Sequence, residues 1–232
     1  MFAGKMKAVT FSYDDGVLQD ERLIAILDKY GLRGTFNINS ELLGKPGELN
    51  IQGTRVDHTK IAPERVSTVY RNHEVAVHTL THPNLTGLSE EEILRQVEED
   101  RKNLSAMVGY SVVGMAYPCG GVNNDDRVAA ILKQKASVKY ARTITSNHSF
   151  DLQKNLYRFD PTVYHREMDA MFALGEEFLR LQPEEPKIFY IWGHSYEFDL
   201  WNTWERFEEF CKFISGKADI FYGTNTECLL AY

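Results

Sequence analysis

Segments with strand character alternate along this chain with amphipathic helical segments, and that alternation limits the folds open to it. Lys7–Tyr13 (KAVTFSY), Arg33–Ile38 (RGTFNI), His73–His78 (HEVAVH), Ser111–Tyr117 (SVVGMAY), Lys139–Ile144 (KYARTI), Lys187–Trp192 (KIFYIW) and Ala218–Gly223 (ADIFYG) read as strands. Between them, Leu18–Gly31 carries Leu23, Ile24, Leu27 and Tyr30 on one helical face. Leu88–Gly109 is a second helix, with Ser89 as its cap, Glu92 placed to complete a capping box, and an apolar stripe of Ile93, Val97 and Leu104. Asn124–Ala136, Glu167–Gln182 and Asn202–Ser215 read as further helices, Pro63–Asn72 as a short one, and Gly44–Ala62 as a long loop. Strands separated by helices of this length imply βα units, a parallel sheet, and a closed or nearly closed barrel.

The chain has 232 residues, which suits a single domain over 1–232 with one substantial core. A net charge of −7 with no block of Lys or Arg argues against nucleic acid and against an anionic membrane as partners. Cys119, Cys211 and Cys228 are widely spaced and odd in number, so neither a disulfide framework nor a thiolate zinc site is expected. No signal-like stretch and no run of about 18 apolar residues stands out, and the expected location is cytoplasmic.

In a parallel barrel, functional groups gather at the C-terminal ends of the strands. Asp14 and Asp15, His78, Tyr117 and Pro118, Arg142 and His194 all follow predicted strands. An acidic pair after a strand is often only a solvated turn. Here "HTLTH" (His78–His82) lies on another strand end, and its two histidines at i and i+4 can grip one ion if the backbone turns helically. With one carboxylate they make a His₂Asp site suited to a divalent metal ion, with zinc first and cobalt, nickel or another first-row ion as alternatives. The other aspartate is then free to take a proton from water. His194, in "WGHS" after the most apolar strand, reads either as a hydrogen-bonded rim residue or as a general acid. "AYPCGG" (Ala116–Gly121) is a tight turn whose exposed backbone N–H could donate to an oxyanion.

The motifs "FSYDDG", "HTLTH", the Tyr-Pro-x-Gly turn and the late "GHS" occur in an order and spacing that resemble the polysaccharide deacetylases, the NodB-homology domain of carbohydrate esterase family 4. The resemblance runs from about Lys7 to the end. It implies an α/β fold, a distorted (β/α)₇ barrel, and metal-dependent removal of acetyl groups from a sugar or oligosaccharide, N-acetyl ahead of O-acetyl. Residue by residue it implies Asp14 as general base, Asp15, His78 and His82 as metal ligands, and His194 as general acid. Trp192 stands where the family has an apolar residue against the acetyl methyl. Cys119 holds the position whose backbone N–H helps form the oxyanion hole.

The chain also departs from the family. Ala116 replaces the arginine that orients the catalytic aspartate, and Arg142 is the candidate to supply that guanidinium. The acid that steers the histidine has no clear match; Asp160 and Glu197 are candidates, each read first as a surface or capping acid. Among the aromatics, Tyr117, Trp192 and Trp201 are expected to meet substrate together with Pro118, whereas Trp204 fits a helix core stripe. His58 and His73 read as surface residues, and His148 and His165 as possible pocket residues without named partners. Two other activities stay open on the same scaffold: hydrolysis of a cyclic amide or imide, and glycan binding without catalysis.

Overall fold

The computed structural model describes residues 2–230. Its architecture follows from the period-two alternation of its first strand, β1 (Lys7–Asp14). Val9, Phe11 and Tyr13 join the main apolar core, packed against the helices. Thr10, Ser12 and Asp14 face the other way, into polar contacts inside the barrel. The same alternation in β2 (Gly34–Ile38) sends Phe36 and Ile38 to the core and turns Thr35 and Asn37 inward.

β1 lies between β2 and β7 (Lys187–His194) in parallel register. β2 pairs with β5 (Glu74–Val77), and β7 pairs with the two-residue β6 (Val163–Tyr164). Single parallel bridges carry the remaining arc: Val77 to Met115, Ala116 to Arg142, and Arg142 to Phe159. The Ala116 N–H donates to the Val77 carbonyl, the Tyr117 N–H to Arg142, and the Arg142 N–H to Met115. These contacts close a seven-stave ring, the distorted barrel expected. The segments Ser111–Tyr117 and Lys139–Ile144 thus contribute one or two paired residues each rather than full strands. Pro118, which has no N–H to donate, stops the first of them. Segment Ala218–Gly223 forms β8 (Ile220–Tyr222), which pairs only with the start of β1.

Helices α1 (Asp20–Lys29), α3 (Glu90–Val108), α4 (Asp126–Lys135), α5 (Met168–Arg180) and α7 (Trp204–Ile214) bury their apolar stripes against the ring. Pro63–Asn72 is less regular than expected, a 3₁₀ turn followed by the single turn α2 (Val66–Val69). Ser89 accepts the Glu92 N–H as expected. The Glu92 carboxylate, however, pairs with Arg95 and Gln96 instead of closing a capping box. The Gly44–Ala62 loop holds an antiparallel hairpin, β3 (Glu48–Ile51) and β4 (Thr54–Asp57). Its turn residues Gln52 and Gly53 have φ of 53° and 85°, the geometry of a type I′ turn. Gln-Gly is a weaker hairpin signal than Asn-Gly, which is why the hairpin reads as loop.

Two short helices have no counterpart in the sequence reading, α6 (Tyr196–Trp201) and α8 (Asn225–Leu229). α8 plugs the N-terminal end of the barrel. Cys228 and Leu229 pack with Ala8, Ile188 and Tyr190, and Asn225 bonds Thr10, Ser12 and Tyr190. The opposite end is left for the functional groups. No helix among the described residues is long and apolar enough to cross a membrane.

Candidate active site

The parallel register of β1 and β7 places Asp14 opposite His194 and Ser12 opposite Trp192. Each of the two strands therefore ends on an inward polar residue, and the pair faces one cavity of about 670 Å³. Asp14, Asp15, His78, His82, Tyr117, Cys119, Trp192 and His194 all line it.

Asp14 is 1% exposed. One Arg142 guanidinium nitrogen lies 2.5 Å from both of its carboxylate oxygens, and the Asn37 amide donates to Oδ1 at 2.8 Å. Burial opposes ionisation of Asp14, but Arg142, His78 and His194 outweigh it and hold the carboxyl below its usual range. Arg142 is itself fully buried, donates to the Thr143 carbonyl, and lies 4.6 Å over the Trp192 ring. It thus stands directly beside Asp14.

β1 ends in a left-handed kink. Asp15 has φ of 84° and Gly16 has φ of 65°. A Cβ on Gly16 would meet Ile38 Cγ2 at 2.8 Å, so the glycine of "FSYDDG" is demanded both by backbone and by space. The kink sends the two aspartates to different partners. Asp15 Oδ1 lies 3.5 Å from His82 Nε2 and 3.9 Å from His78 Nε2. The loop of "HTLTH" is not helical as expected: Thr79 and His82 have φ of 69° and 63°. The rings nevertheless meet, with centroids 4.9 Å apart. Asn39 pins this loop through the His78 and Thr79 carbonyls, and Asp100 accepts the His78 N–H.

Ligand atoms of Asp15, His78 and His82 lie within 4.8 Å of one another. His78 Nδ1 donates to the Ala116 carbonyl, which leaves Nε2 as the free lone pair facing Asp15. Burial pushes His78 down to about 4 and lowers His82 as well, so both rings are neutral near pH 7, the form a metal needs. One carboxylate and two neutral imidazoles fit a first-row divalent ion.

His194 is held by Glu197, whose Oε2 is 3.2 Å from Nδ1. Burial alone would depress the His194 ring, but Glu197, Asp15 and Asp14 together raise it to about 9. Glu197 also bonds the His165 Nε2 at 2.9 Å and the Tyr164 hydroxyl. The partner of His194 is therefore Glu197, one turn further on, and the first reading of this acid as surface is incorrect. Asp160 instead bonds Thr143. His165 is buried, and it fits only because Gly193 has no Cβ, which would sit 2.6 Å from its ring.

Cys119 has φ of 70°, and no hydrogen bond among the described residues uses its N–H. Its thiol lies 3.8 Å from His82 Nδ1. Trp192 stacks on Tyr164 at 4.4 Å. Two expected contacts are not brought to this cavity. Pro118 is buried and does not line it, and its carbonyl accepts from the Asn123 amide. Trp201 lines a separate cavity with His165 and Phe198, its ring under the Arg166 guanidinium. His58 and His73 are not surface residues. His73 is buried and accepts the Gly34 N–H, while His58 lines the cavity 3.2 Å from Asp15. His148 pairs with Glu167 at the surface.

A barrel with an arginine-paired aspartate, a His₂Asp cluster and a carboxylate-held histidine on one rim defines a hydrolase-like class of site. The family model for polysaccharide deacetylases matches residues 3–138, and the chain belongs to that family, whose members act on acetylated carbohydrates. A comparison with curated proteins finds no match. Among solved structures, a putative polysaccharide deacetylase from Mycobacterium smegmatis superposes with TM-score 0.69 at 14% identity, over 98% of this chain and 90% of that one. A CE4 family pseudoenzyme from Bacillus anthracis gives 0.54 at 20% identity, over 97% and 65%. The Streptococcus pyogenes deacetylase PplD, solved with acetate, gives 0.48 at 18% identity, over 58% and 55%. The match thus spans less than two thirds of the last two proteins. At these identities the likeness concerns the fold.

Proposed function

We propose that the chain is a single catalytic domain of a metal-dependent carbohydrate deacetylase, with N-acetyl sugars ahead of O-acetyl. The observation that supports it best is the convergence of Asp14–Arg142, Asp15–His78–His82 and His194–Glu197 on one cavity. When bound at Asp15, His78 and His82, a divalent ion, zinc first, supplies Lewis acidity to the acyl carbonyl and acidifies water.

The chain's own residues do the rest. Asp14, kept ionised by Arg142, takes a proton from the attacking water. The unused Cys119 N–H donates to the carbonyl oxygen as negative charge gathers there. His194, protonated at neutral pH, gives its proton to the leaving nitrogen or oxygen. Tyr117, Trp192 and Tyr164 wall the cavity where the acyl group and sugar ring would sit.

The test is acetate release from a panel of N- and O-acetylated sugars with Zn²⁺, Co²⁺ or Ni²⁺, set beside cyclic imides. Acetate release that a chelator stops is the expected result. Turnover of cyclic imides alone, or sugar binding without turnover under every metal, would overturn the proposal. The second outcome is a concrete one, because a pseudoenzyme shares this fold.

Glu197→Gln tests the acid. A group that must be protonated is active below its pKa and silent above it. Wild-type activity should therefore fall as pH rises through the His194 pKa, which Glu197 holds above the usual histidine value. Removing the Glu197 charge lowers the His194 pKa, so this alkaline limb should move to lower pH with kcat reduced. A pH–rate profile checks it, and an unmoved limb would dissociate His194 from the step.

A further inference from the structure

The hairpin β3–β4 returns to the barrel through residues 58–61, and this return puts two basic side chains on Asp15. The segment is locked by backbone pairing to the kink itself. Val17 bridges Lys60, the Leu18 N–H donates to Thr59, and the Ile61 N–H donates to Gly16. Lys60 is 7% exposed, and its ammonium donates to the Asp15 backbone carbonyl at 2.8 Å. From there it also reaches the Asp15 carboxylate, 3.6 Å from Oδ1. His58, packed edge-on against Tyr196 at 5.0 Å, takes the other oxygen, with Nε2 3.2 Å from Oδ2.

The two carboxylate oxygens therefore have separate duties. Oδ2 is held by His58 outside the His₂Asp cluster. Oδ1 faces His78, His82 and Lys60 at once. A metal ligated by Asp15, His78 and His82 would take that same Oδ1. Two cations converging on one buried oxygen repel each other, and burial leaves little solvent or salt to screen them. Lys60 has no easy retreat, because its ammonium is anchored on the Asp15 carbonyl and its backbone on the kink.

We propose that Lys60 is a resident cation of this site, which competes for Asp15 Oδ1 and holds metal affinity below what the three ligands alone would reach. The inference rests on the metal-site reading above. Its functional meaning is an exchangeable metal, with the covering hairpin energetically coupled to occupancy. His58 acts with it as a positioning residue that holds Asp15 Oδ2 away from the His₂Asp cluster.

The experiment is a binding titration of metal-free protein with Zn²⁺ or Co²⁺, read by calorimetry or by the Co²⁺ absorption bands. Lys60→Met should bind about tenfold tighter or more, because a charge is removed beside a divalent ion. Lys60→Arg, which keeps the charge, should stay within about threefold of wild type. Equal or weaker binding by Lys60→Met overturns the proposal, since it would make Lys60 neutral or helpful to the site. Asp15→Asn separates this from failure of the metal reading. If wild type binds and Asp15→Asn does not, the metal site stands whatever Lys60→Met shows. If wild type does not bind, both fall. Should Lys60→Met fail to fold, wild type decides by ¹⁵N NMR. The Lys60 Nζ resonance should shift when Zn²⁺ is added, and an unmoved resonance at saturation overturns the proposal.

Discussion

Asp14→Asn is expected to lower turnover by about 10²- to 10⁴-fold, the usual worth of a general base, while metal remains bound. Asparagine fills the same space but cannot accept the proton. The Asp15 cluster lies on the other side of the kink and keeps its ligands. A structural cost accompanies the kinetic one. Arg142 is fully buried and loses its counter-charge, and breaking a buried pair from one side costs about 3–5 kcal/mol. Kinetics should therefore be compared well below the lowered Tm. Asp15→Asn should behave differently, with sharply weakened metal binding and turnover that falls with occupancy. Metal analysis beside single-turnover assays separates the two. Equal metal loss in both variants would show that the roles of the aspartates are wrongly divided.

Arg142→Ala is the second large effect. It leaves Asp14, 1% exposed, to bear a buried charge without its largest counter-charge, with Asn37 and His194 still beside it. A stability loss of about 3–5 kcal/mol is expected, together with about 10²-fold lower turnover as the carboxylate loses its orientation. The pH dependence has a definite sign. Burial raises the Asp14 pKa, and Arg142 is the largest of the groups that bring it back below the ordinary value. A group whose folded-state pKa is depressed stabilises the protein above the unfolded pKa, about 3.9, and that contribution is lost as pH falls through the folded value. Without Arg142 the Asp14 pKa rises. The acidic limb of the pH–rate profile should then move to higher pH, and the stability advantage of neutral over acidic pH should shrink. Arg142→Lys is a useful companion, since one ammonium cannot at once hold Asp14, donate to the Thr143 carbonyl and cover Trp192 as the planar guanidinium does. Wild-type turnover in Arg142→Ala would end the idea that it replaces the missing arginine.

The barrel was legible because strand and helix periods are local. The inward alternation of β1 and β7 is written in KAVTFSYD and KIFYIWGH, and it carries Asp14 and His194 to the same rim once the strands pair. The middle of the barrel reads as two full strands, Ser111–Tyr117 and Lys139–Ile144, but only Met115, Ala116 and Arg142 in them form bridges, because the extent of pairing depends on how the ring closes and not on local period. The hairpin over the site was hidden by a Gln-Gly turn, and with it went His58 and Lys60. The pairing of His78 with His82 was expected for the wrong local reason, since left-handed residues, not a helical turn, bring the rings together. Glu197 had a usable signal, an acid three residues after His194 at the start of a short helix. Asn37 had one too, a polar residue inside a fully buried strand.

By itself the sequence determined which chemistries were available and in what order they met the chain: an acidic pair, two histidines four apart, a Pro-Cys-Gly turn, a late histidine. Those are properties of residue type and strand-end position, and both are local. Only the tertiary structure decided who faces whom. Arg142 reaches Asp14 from 128 residues away, and Lys60 reaches Asp15 from 45. Contacts of that span depend on how the ring closes and where a loop returns, and no local pattern encodes either. The same closure turned two adjacent, repelling aspartates into separate sites, one paired with a guanidinium and the other shared between imidazoles and a lysine.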